Sequence, residues 1–520
     1  MNSTVSALES LDISYQYISF SPKQKMLLEQ TAKAVDGDAA LSGRFHKDGL
    51  SLRMQDDCSE PRDPLSDNTH PAYQLSPTER GLYPALLLLS ATQFCWIREE
   101  WNKMKRITIA IAGCGARGMN TYAACQERFP EWMQIVAAAD IRPEQLDMMK
   151  KRFRLTDEQC YPSAEAMLAQ PKLADALFIC TWDRAHYAQT MAALNKGYHI
   201  LLEKPISPTW QECKDIEWLA NKNKRQVVVC HVLRYTVFYQ KLKELLAQKI
   251  IGDVVSIQAI ERVCYWHQAH SFVRGNWRNS EESTPMILQK CCHDMDILLW
   301  LTGKHCESVS SYGTLTLFKK ENAPSGAPLR CTDACPAADT CPYNAVHFYL
   351  DRMKQGDYGW PVNVLQNEPT VENILQSLKT GPYGRCVYHC DNNVVDHQVV
   401  NLLLEGGATV NFTMCAFTAD GGRELRIMGT MGEIVGNVSE KRISVRPFMR
   451  EAIEIDVNQL TDDFSGHEGG DARMIQDFLR LLSGEKTSNS ITTIDRSVES
   501  HLVALAAEQS RLHRGAPVAL

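Results

Sequence analysis

Residues 105–118 read KRITIAIAGCGARG, and the reading of this stretch decides the fold. ITIAIAG (107–113) is built of β-branched and small apolar residues without a charge, which suits a strand buried on both faces. It runs directly into Gly113, Gly115 and Gly118. Glycines at that spacing allow a tight turn and close backbone approach, and the helix opening behind them favours a pyrophosphate at its N-terminus. A second apolar run, QIVAAAD (134–140), ends in Asp140, near the offset of about 20 residues at which an acid meets a ribose 2′-hydroxyl. Strand, glycine turn, helix and acid together predict a dinucleotide site made by Gly113, Gly115, Arg117, Gly118, Asp140 and Arg142. Asp140 would repel a 2′-phosphate and so favours NAD, whereas Arg142 could receive that phosphate and leaves NADP open.

Working outward, the runs DALFICT (175–181), YHILLEK (198–204) and QVVVCHV (226–232) alternate with helix-like stretches. That alternation implies βαβ units and a parallel sheet. Beyond about residue 250 the apolar residues alternate along the strands, as in VVSIQAIERV and ATVNFTMCAF, the mark of a one-sided antiparallel sheet. The expected class is α/β. A Rossmann dinucleotide-binding domain over 104–232 is followed by an α+β domain over 233–520 with a large, mostly antiparallel open sheet. Residues 35–81 are rich in Asp, Ser, Pro and Gly without periodicity and read as loop or disorder. Residues 1–103 therefore read as a poorly ordered or accessory extension, with Met104 as the functional start.

Composition narrows the function. A chain of 520 residues is too long for one core. A net charge of −7 without a Lys/Arg block gives no footprint for nucleic acid. The longest apolar run, LYPALLLLSATQFCWI (82–97), is interrupted by Pro84, Ser90, Thr92 and Gln93 and is shorter than the roughly 20 residues of a membrane span. The 18 cysteines are spread along the chain, many in apolar runs. That distribution suits a reducing, cytoplasmic compartment rather than a disulfide framework.

TWDRAH (181–186) and GYHILLEKP (197–205) complete a set of motifs. Taken in order with the strand and glycine turn, they resemble the glucose–fructose oxidoreductase/inositol dehydrogenase (Gfo/Idh/MocA) family, over residues 105–520. The resemblance implies hydride transfer between NAD or NADP and a secondary hydroxyl of a sugar, cyclitol or related polyol. It also implies a homo-oligomer formed through the C-terminal sheet. By resemblance Lys204 lies near nicotinamide and substrate as a catalytic residue, Glu203 supports it, Pro205 is often cis, and Thr181 and His186 join the cofactor site.

MILQKCCHDMD (286–296) corresponds to the family's D-x-x-x-H-D-x-D, which makes His293 the general acid/base for the hydroxyl. The chain departs from that pattern at Gln289, which can orient a hydroxyl but cannot take its proton. Lys204 and His293 are thus the expected pair, with Lys290 as an assistant whose charge would lower the basicity of His293. Ser283, Thr284 and Pro285 at one end and Gly303 at the other bracket a single predicted helix, on which Gln289 and His293 share a face. Cys291 and Cys292 point about 100° apart and read as packing residues.

CYWHQAHSFVRGNWRN (264–279) offers Trp266, His267, His270, Arg274 and Trp277 to a sugar-like substrate, with His231 and Arg234 as weaker candidates. GHEGGDARMIQDF (466–478) adds His467 as part of a pocket-closing loop, or Asp471 as a helix N-cap. RCTDACPAADTCPYNAV and GRCVYHC bring Cys331, Cys335, Cys341 and Cys386 near one another in sequence, with Cys390 following, inside an insertion at about 320–390. In a reduced chain such a group reads as a metal site. A closed Cys₄ zinc tetrahedron is expected, with an iron–sulfur cluster as the alternative and free thiols as the bland reading. Two other functions stay open: redox-neutral glycoside cleavage on tightly held NAD, and a non-catalytic dinucleotide-sensing regulator.

Overall fold

The computed structural model describes residues 106–520. The expected extension and the apolar run 82–97 lie outside the described residues. The first sheet contains β1 (Ile107–Ala112), β2 (Met133–Ala139), β3 (Cys160–Tyr161), β4 (Ala176–Ile179), β5 (His199–Leu202) and β6 (Val227–Val229). Their order is β3-β2-β1-β4-β5-β6, and every pairing is parallel. Five of the strands fall on the apolar runs. β3 has two residues, too few for any periodic signal, and pairs through Ala138 and Ala139. The strand order reverses between β1 and β4, and the crevice at their C-terminal ends is where α/β sheets bind ligands.

The second sheet contains β7 (Val254–Arg262), β8 (Cys306–Thr314), β9 (His397–Leu404), β10 (Thr409–Cys415), β11 (Gly422–Gly429), β12 (Gly432–Asn437), β13 (Arg442–Pro447), β14 (Ile453–Asp456) and β15 (Val518–Ala519). In the order β14-β13-β12-β11-β7-β10-β9-β8-β15, β7 and β10 pair in parallel and the other neighbours are antiparallel. Residues such as Ile257, Val400 and Phe412 join Leu242, Met295 and Leu298 of the covering helices in one core. Val255, Tyr312 and Leu403 of the sheet are exposed.

The long helix Ile494–Leu512 joins the two halves. Ile494, Val498 and Leu502, spaced four apart, enter the core of the first sheet, while Val503, Ala504 and Ala507 enter that of the second. Helical periodicity places these two sets on different faces. The insertion carries helices Ala345–Lys354 and Val371–Thr380, which share a small core of Tyr349, Ile374 and Leu378. Among the described residues, no helix is long and apolar enough to cross a membrane.

Candidate active site

The glycine turn after β1 is sterically determined. Gly113 has φ +89°, and a Cβ there would lie 2.4 Å from the Cys180 carbonyl oxygen. A Cβ on Gly118 would lie 1.9 Å from the Gly113 carbonyl oxygen. At Gly115 the nearest atom to such a carbon is Arg142 Nη2 at 3.9 Å, so this side of the turn is open. The segment Ala116–Ala123 behind it is wound in the wider π form. Asp140 Oδ2 accepts the Cys114 N–H at 2.7 Å and Oδ1 accepts the Arg142 N–H at 2.9 Å. The acid is thereby fixed between the end of β2 and the turn.

At the end of β5 the buried Glu203 is held by Arg117 Nε (2.9 Å), the Tyr122 hydroxyl (2.6 Å) and the Lys204 N–H (2.9 Å). Burial alone would raise its carboxyl, but the charges of Arg117 and Lys204 hold it below the ordinary value. Arg117, expected beside the cofactor, also bonds Asp471 at 2.7 Å and lies 3.2 Å from His467 Nδ1. Its guanidinium is committed to two acids that lie 86 and 354 positions away, a separation that no local motif could reveal. Asp471, on the helix Gly470–Leu482, turns its carboxylate to Arg117 and His467, not to the helix end. His467 Nδ1 therefore lies against the Asp471 carboxylate, at 2.9 Å.

TWDRAH braces the same turn. His186 lies between the carbonyls of Pro205 (2.7 Å) and Thr181 (3.1 Å), and the Thr181 hydroxyl donates to Gln189 at 2.6 Å. The Lys204–Pro205 bond is cis. Lys204 Nζ donates to the backbone carbonyl of Gln289 at 2.9 Å.

That carbonyl is reached because the single expected helix is two. Met286–Gln289 and Cys292–Thr302 are separate, with Cys291 at φ −102° and ψ 6°. The N–H groups of Asp294 and Met295 both turn to the Cys291 carbonyl. A backbone oxygen freed from the helical ladder needs another donor, and Lys204 provides it. Ser283 and Thr284 do not cap the helix, since both hydroxyls donate to Asp183 (2.7 and 3.1 Å).

His293 occupies the first turn of the second helix. Its Nδ1 is buried without a hydrogen-bond partner, and the ring remains partly exposed. Burial first, then the positive charge of Lys204, holds it well below the usual histidine range, so the ring is neutral and can accept a proton. The His231 ring meets it edge-on at 5.7 Å and lies 5.2 Å from the His501 ring. Neither nitrogen of His231 makes a hydrogen bond, and its Nε2 lies 3.8 Å from Asp296 Oδ1. His501 accepts the Ile206 N–H at Nε2 (2.9 Å) and lies 3.0 Å from the Ser497 carbonyl through Nδ1, which fixes the neutral Nδ1–H tautomer. Arg234, expected as a weak substrate candidate, instead makes a bidentate pair with Asp296 at 2.7 and 2.5 Å. Lys290 pairs with Glu261 at 3.2 Å, and Arg423 bridges Glu261 (3.0 Å) to Asp294 (2.7 Å). Cys291 and Cys292 are fully buried, and burial pushes the Cys292 thiol up to about 12, as packing residues require.

The expected substrate residues divide. Trp266 and His267 are partly exposed and stand in an aromatic wall. Trp266 stacks on Phe348 at 5.4 Å, with the Arg352 guanidinium 4.3 Å over its ring, and His267 meets Trp360 at 4.9 Å. His270 and Arg274 are buried and fasten the insertion instead. His270 Nδ1 pairs with the Tyr349 hydroxyl at 2.6 Å, and Arg274 donates to the Arg385 and Tyr343 carbonyls, both at 2.6 Å. Among the described residues, no three His, Cys, Asp or Glu side chains come close enough to hold a metal ion. The single-zinc tetrahedron expected of Cys331, Cys335, Cys341 and Cys386 is thus not formed.

These histidines make stability depend on pH. His231, His270 and His501 are at most 3% exposed, and burial lowers all three, His270 and His501 to about 3. On acidification the unfolded chain takes up protons near pH 6.5, while the folded chain does not. Stability therefore falls as pH drops below that value. Between about pH 7.5 and 5.5 each histidine costs on the order of 1 kcal/mol, and the three together a few kcal/mol. Asp294 and Asp296, raised by burial, return part of this as they take up protons. Urea midpoints at the two pH values check it, and equal midpoints would contradict it.

Comparison with known proteins accords with this architecture. The family model described as oxidoreductase family, NAD-binding Rossmann fold, matches residues 107–231, and its companion C-terminal alpha/beta domain matches 243–520. A putative oxidoreductase, YteT, of Bacillus subtilis is 23% identical over 387 residues, covering 71% of this chain and 87% of the relative. An inositol 2-dehydrogenase/D-chiro-inositol 3-dehydrogenase of Halalkalibacterium halodurans is 27% identical, covering 39% of this chain and 55% of its own length. The chain thus spans about half the length of that relative. Two solved structures share the fold. An inositol dehydrogenase homolog from Azotobacter vinelandii complexed with NAD+ has TM-score 0.57 at 15% identity, covering 80% of this chain and 98% of its own. The WlbA dehydrogenase from Bordetella pertussis in complex with NADH and UDP-GlcNAcA has TM-score 0.57 at 18% identity, with the same coverage.

Proposed function

The chain belongs to the Gfo/Idh/MocA family of oxidoreductases with an NAD-binding Rossmann fold, and from that premise we propose that it transfers hydride between NAD and a secondary hydroxyl of a sugar, cyclitol or related polyol. The observation that carries this reading is a neutral His293 beside Lys204, whose ammonium is pinned to the Gln289 carbonyl at 2.9 Å.

The residues fit a dinucleotide. Contacts within the chain leave no room for a side chain at Gly113 and Gly118, while Gly115 faces open space, as close approach of a pyrophosphate requires. Asp140, held by two backbone N–H groups, is the acid we assign to the ribose hydroxyls. Its charge supports NAD over NADP, with the Arg142 guanidinium drawn toward it at 3.4 Å. Bound nicotinamide supplies the hydride acceptor. His293 takes the hydroxyl proton, with Nε2 as the nitrogen that meets the substrate, since Nδ1 is buried. Lys204 has two N–H donors left after the Gln289 bond, and its charge stabilises the alkoxide as the proton leaves. Glu203, ionised between Arg117 and Tyr122, fixes the Lys204 backbone. Trp266 and His267 offer aromatic faces to a ring substrate, and Tyr312 and Leu403, exposed on the outer face of the second sheet, support self-association through it.

A panel of sugars, cyclitols and polyols assayed for nicotinamide reduction tests this. At least one is expected to reduce NAD with a higher kcat/KM than NADP. Release of aglycone from a glycoside on retained NAD, without net reduction, would point to the redox-neutral reaction instead.

A further inference from the structure

The aromatic wall runs from the proton-handling pair into the insertion. Burial first, then Lys290 and, further down, Lys204, hold the His267 ring well below the ordinary histidine range. Charges act in this way only over short distances, so His267 stands beside the reacting end of the site. The same ring meets Trp360, of the insertion, at 4.9 Å.

Trp360 differs from the other rings of the wall. Phe348 stacks on Trp266, and the Arg352 guanidinium lies over that ring as well. Tyr383 stacks on His270 at 4.6 Å. Among the described residues no ring is stacked on Trp360. His267 and His270 meet it at 76° and 86°, and Trp266 is tilted from it by 52°. Trp360 is 44% exposed, and Tyr358, two positions before it, is 51% exposed. Large aromatic side chains are covered in most folds, and open ones beside a site mark a binding surface. The neighbouring rings thus hold Trp360 in place and leave part of it for a ligand.

Charge narrows what that ligand is. Arg352 pairs with Asp357 at 2.6 Å. Lys290 pairs with Glu261, and Arg423 with Glu261 and Asp294. Of the cations acting on Trp266 and His267, that leaves Lys204, which the reacting hydroxyl takes. An acidic or phosphorylated group on this wall would find its cations already matched. A neutral sugar ring suits it better, with an apolar C–H face on Trp360 and hydroxyls toward the Tyr358 hydroxyl and the partly exposed Asp357 carboxylate. We infer that the substrate is a neutral glycoside of at least two rings, one oxidised at His293 and Lys204 and the next seated on Trp360. Trp360 is then a specificity-determining residue, and the insertion is the part of the chain that selects a glycoside over a free sugar. This inference rests on the hydride-transfer reading of the site.

The test sets monosaccharides against their own disaccharides, using the full chain with NAD: glucose against cellobiose and maltose, galactose against lactose, and mannose against mannobiose. At least one disaccharide is expected to exceed its monosaccharide about tenfold in kcat/KM, on the scale of one aromatic stacking contact, with the gain in KM. Trp360→Ala should bring that ratio close to one through KM, and Trp360→Phe should keep most of it. Equal kcat/KM within every pair, or an unchanged ratio in Trp360→Ala, would overturn the inference. So would a fall in both sugars together, which a packing defect produces. Calorimetric titration of the NADH-bound protein with the same sugars separates this result from turnover. If no sugar is oxidised, the hydride-transfer reading fails, while a disaccharide affinity that is lost in Trp360→Ala still supports the seat on Trp360. If Trp360→Ala fails to fold, the wild-type ratio of disaccharide to monosaccharide decides.

Discussion

Lys204→Ala is expected to lower kcat about 10³-fold on any substrate the wild type oxidises, with the affinity for NAD little changed, since a positioned proton-handling group contributes about 10²–10⁴-fold. The ammonium is positioned from both sides. Its backbone N–H is fixed by Glu203 and its Nζ by the Gln289 carbonyl. The loss is therefore of charge and orientation at the hydroxyl, not of the cofactor turn some distance along the sheet edge. Lys204→Arg is expected to recover little, because a planar guanidinium cannot take the place of a compact ammonium on that carbonyl. A second readout separates a proton-handling role from a packing role. After burial, the charge of Lys204 is the leading cause of the depressed ionisation of His293. Its removal should therefore move the acidic limb of the pH profile of kcat/KM to higher pH. A kcat within tenfold of wild type, or an unmoved acidic limb, would sink the assignment.

Much of this site was legible because its signals are local. The strand, the glycine turn and Asp140 fall within residues 107–140, and each follows from chain sterics: a Cβ at Gly113 or Gly118 collides with backbone. The EKP turn and His293 were likewise marked by short motifs. What failed was partner choice across long separations. Arg117 sits in the glycine motif, and the sequence reading gave it to the cofactor, yet Glu203 and Asp471 take it. Tyr122, Tyr349 and His501 went unnoticed for the same reason, since each is defined by a residue 79 or more positions away. The helix break at Cys291 left no proline or glycine in the text. It is settled by the tertiary bond from Lys204 to Gln289. Composition described Arg274 and His270 as substrate-facing because Arg and His suit sugars. Their burial under the insertion depended on a small core that periodicity alone could not place.

Arg234→Ala is expected to destabilise the protein by about 3–5 kcal/mol, the loss typical of breaking a buried ion pair from one side. Arg234 and Asp296 are 3% and 1% exposed, and their two bonds of 2.7 and 2.5 Å are bidentate. Burial raises the Asp296 carboxyl and Arg234 opposes it. Without the guanidinium, Asp296 must take a proton or draw one onto His231, whose Nε2 lies 3.8 Å away. Its ionisation then rises further in the folded state, so the variant recovers stability as pH falls through that raised value. The deficit against wild type should therefore narrow on acidification, as read from urea midpoints at several pH values. Arg234→Met combined with Asp296→Leu removes both charges and should be far closer to wild type than Arg234→Ala, since apolar replacement of a buried pair is often neutral. If the double variant were as unstable as the single one, the loss would lie in packing against Trp300, whose ring is 5.8 Å from the guanidinium, and not in an uncompensated charge.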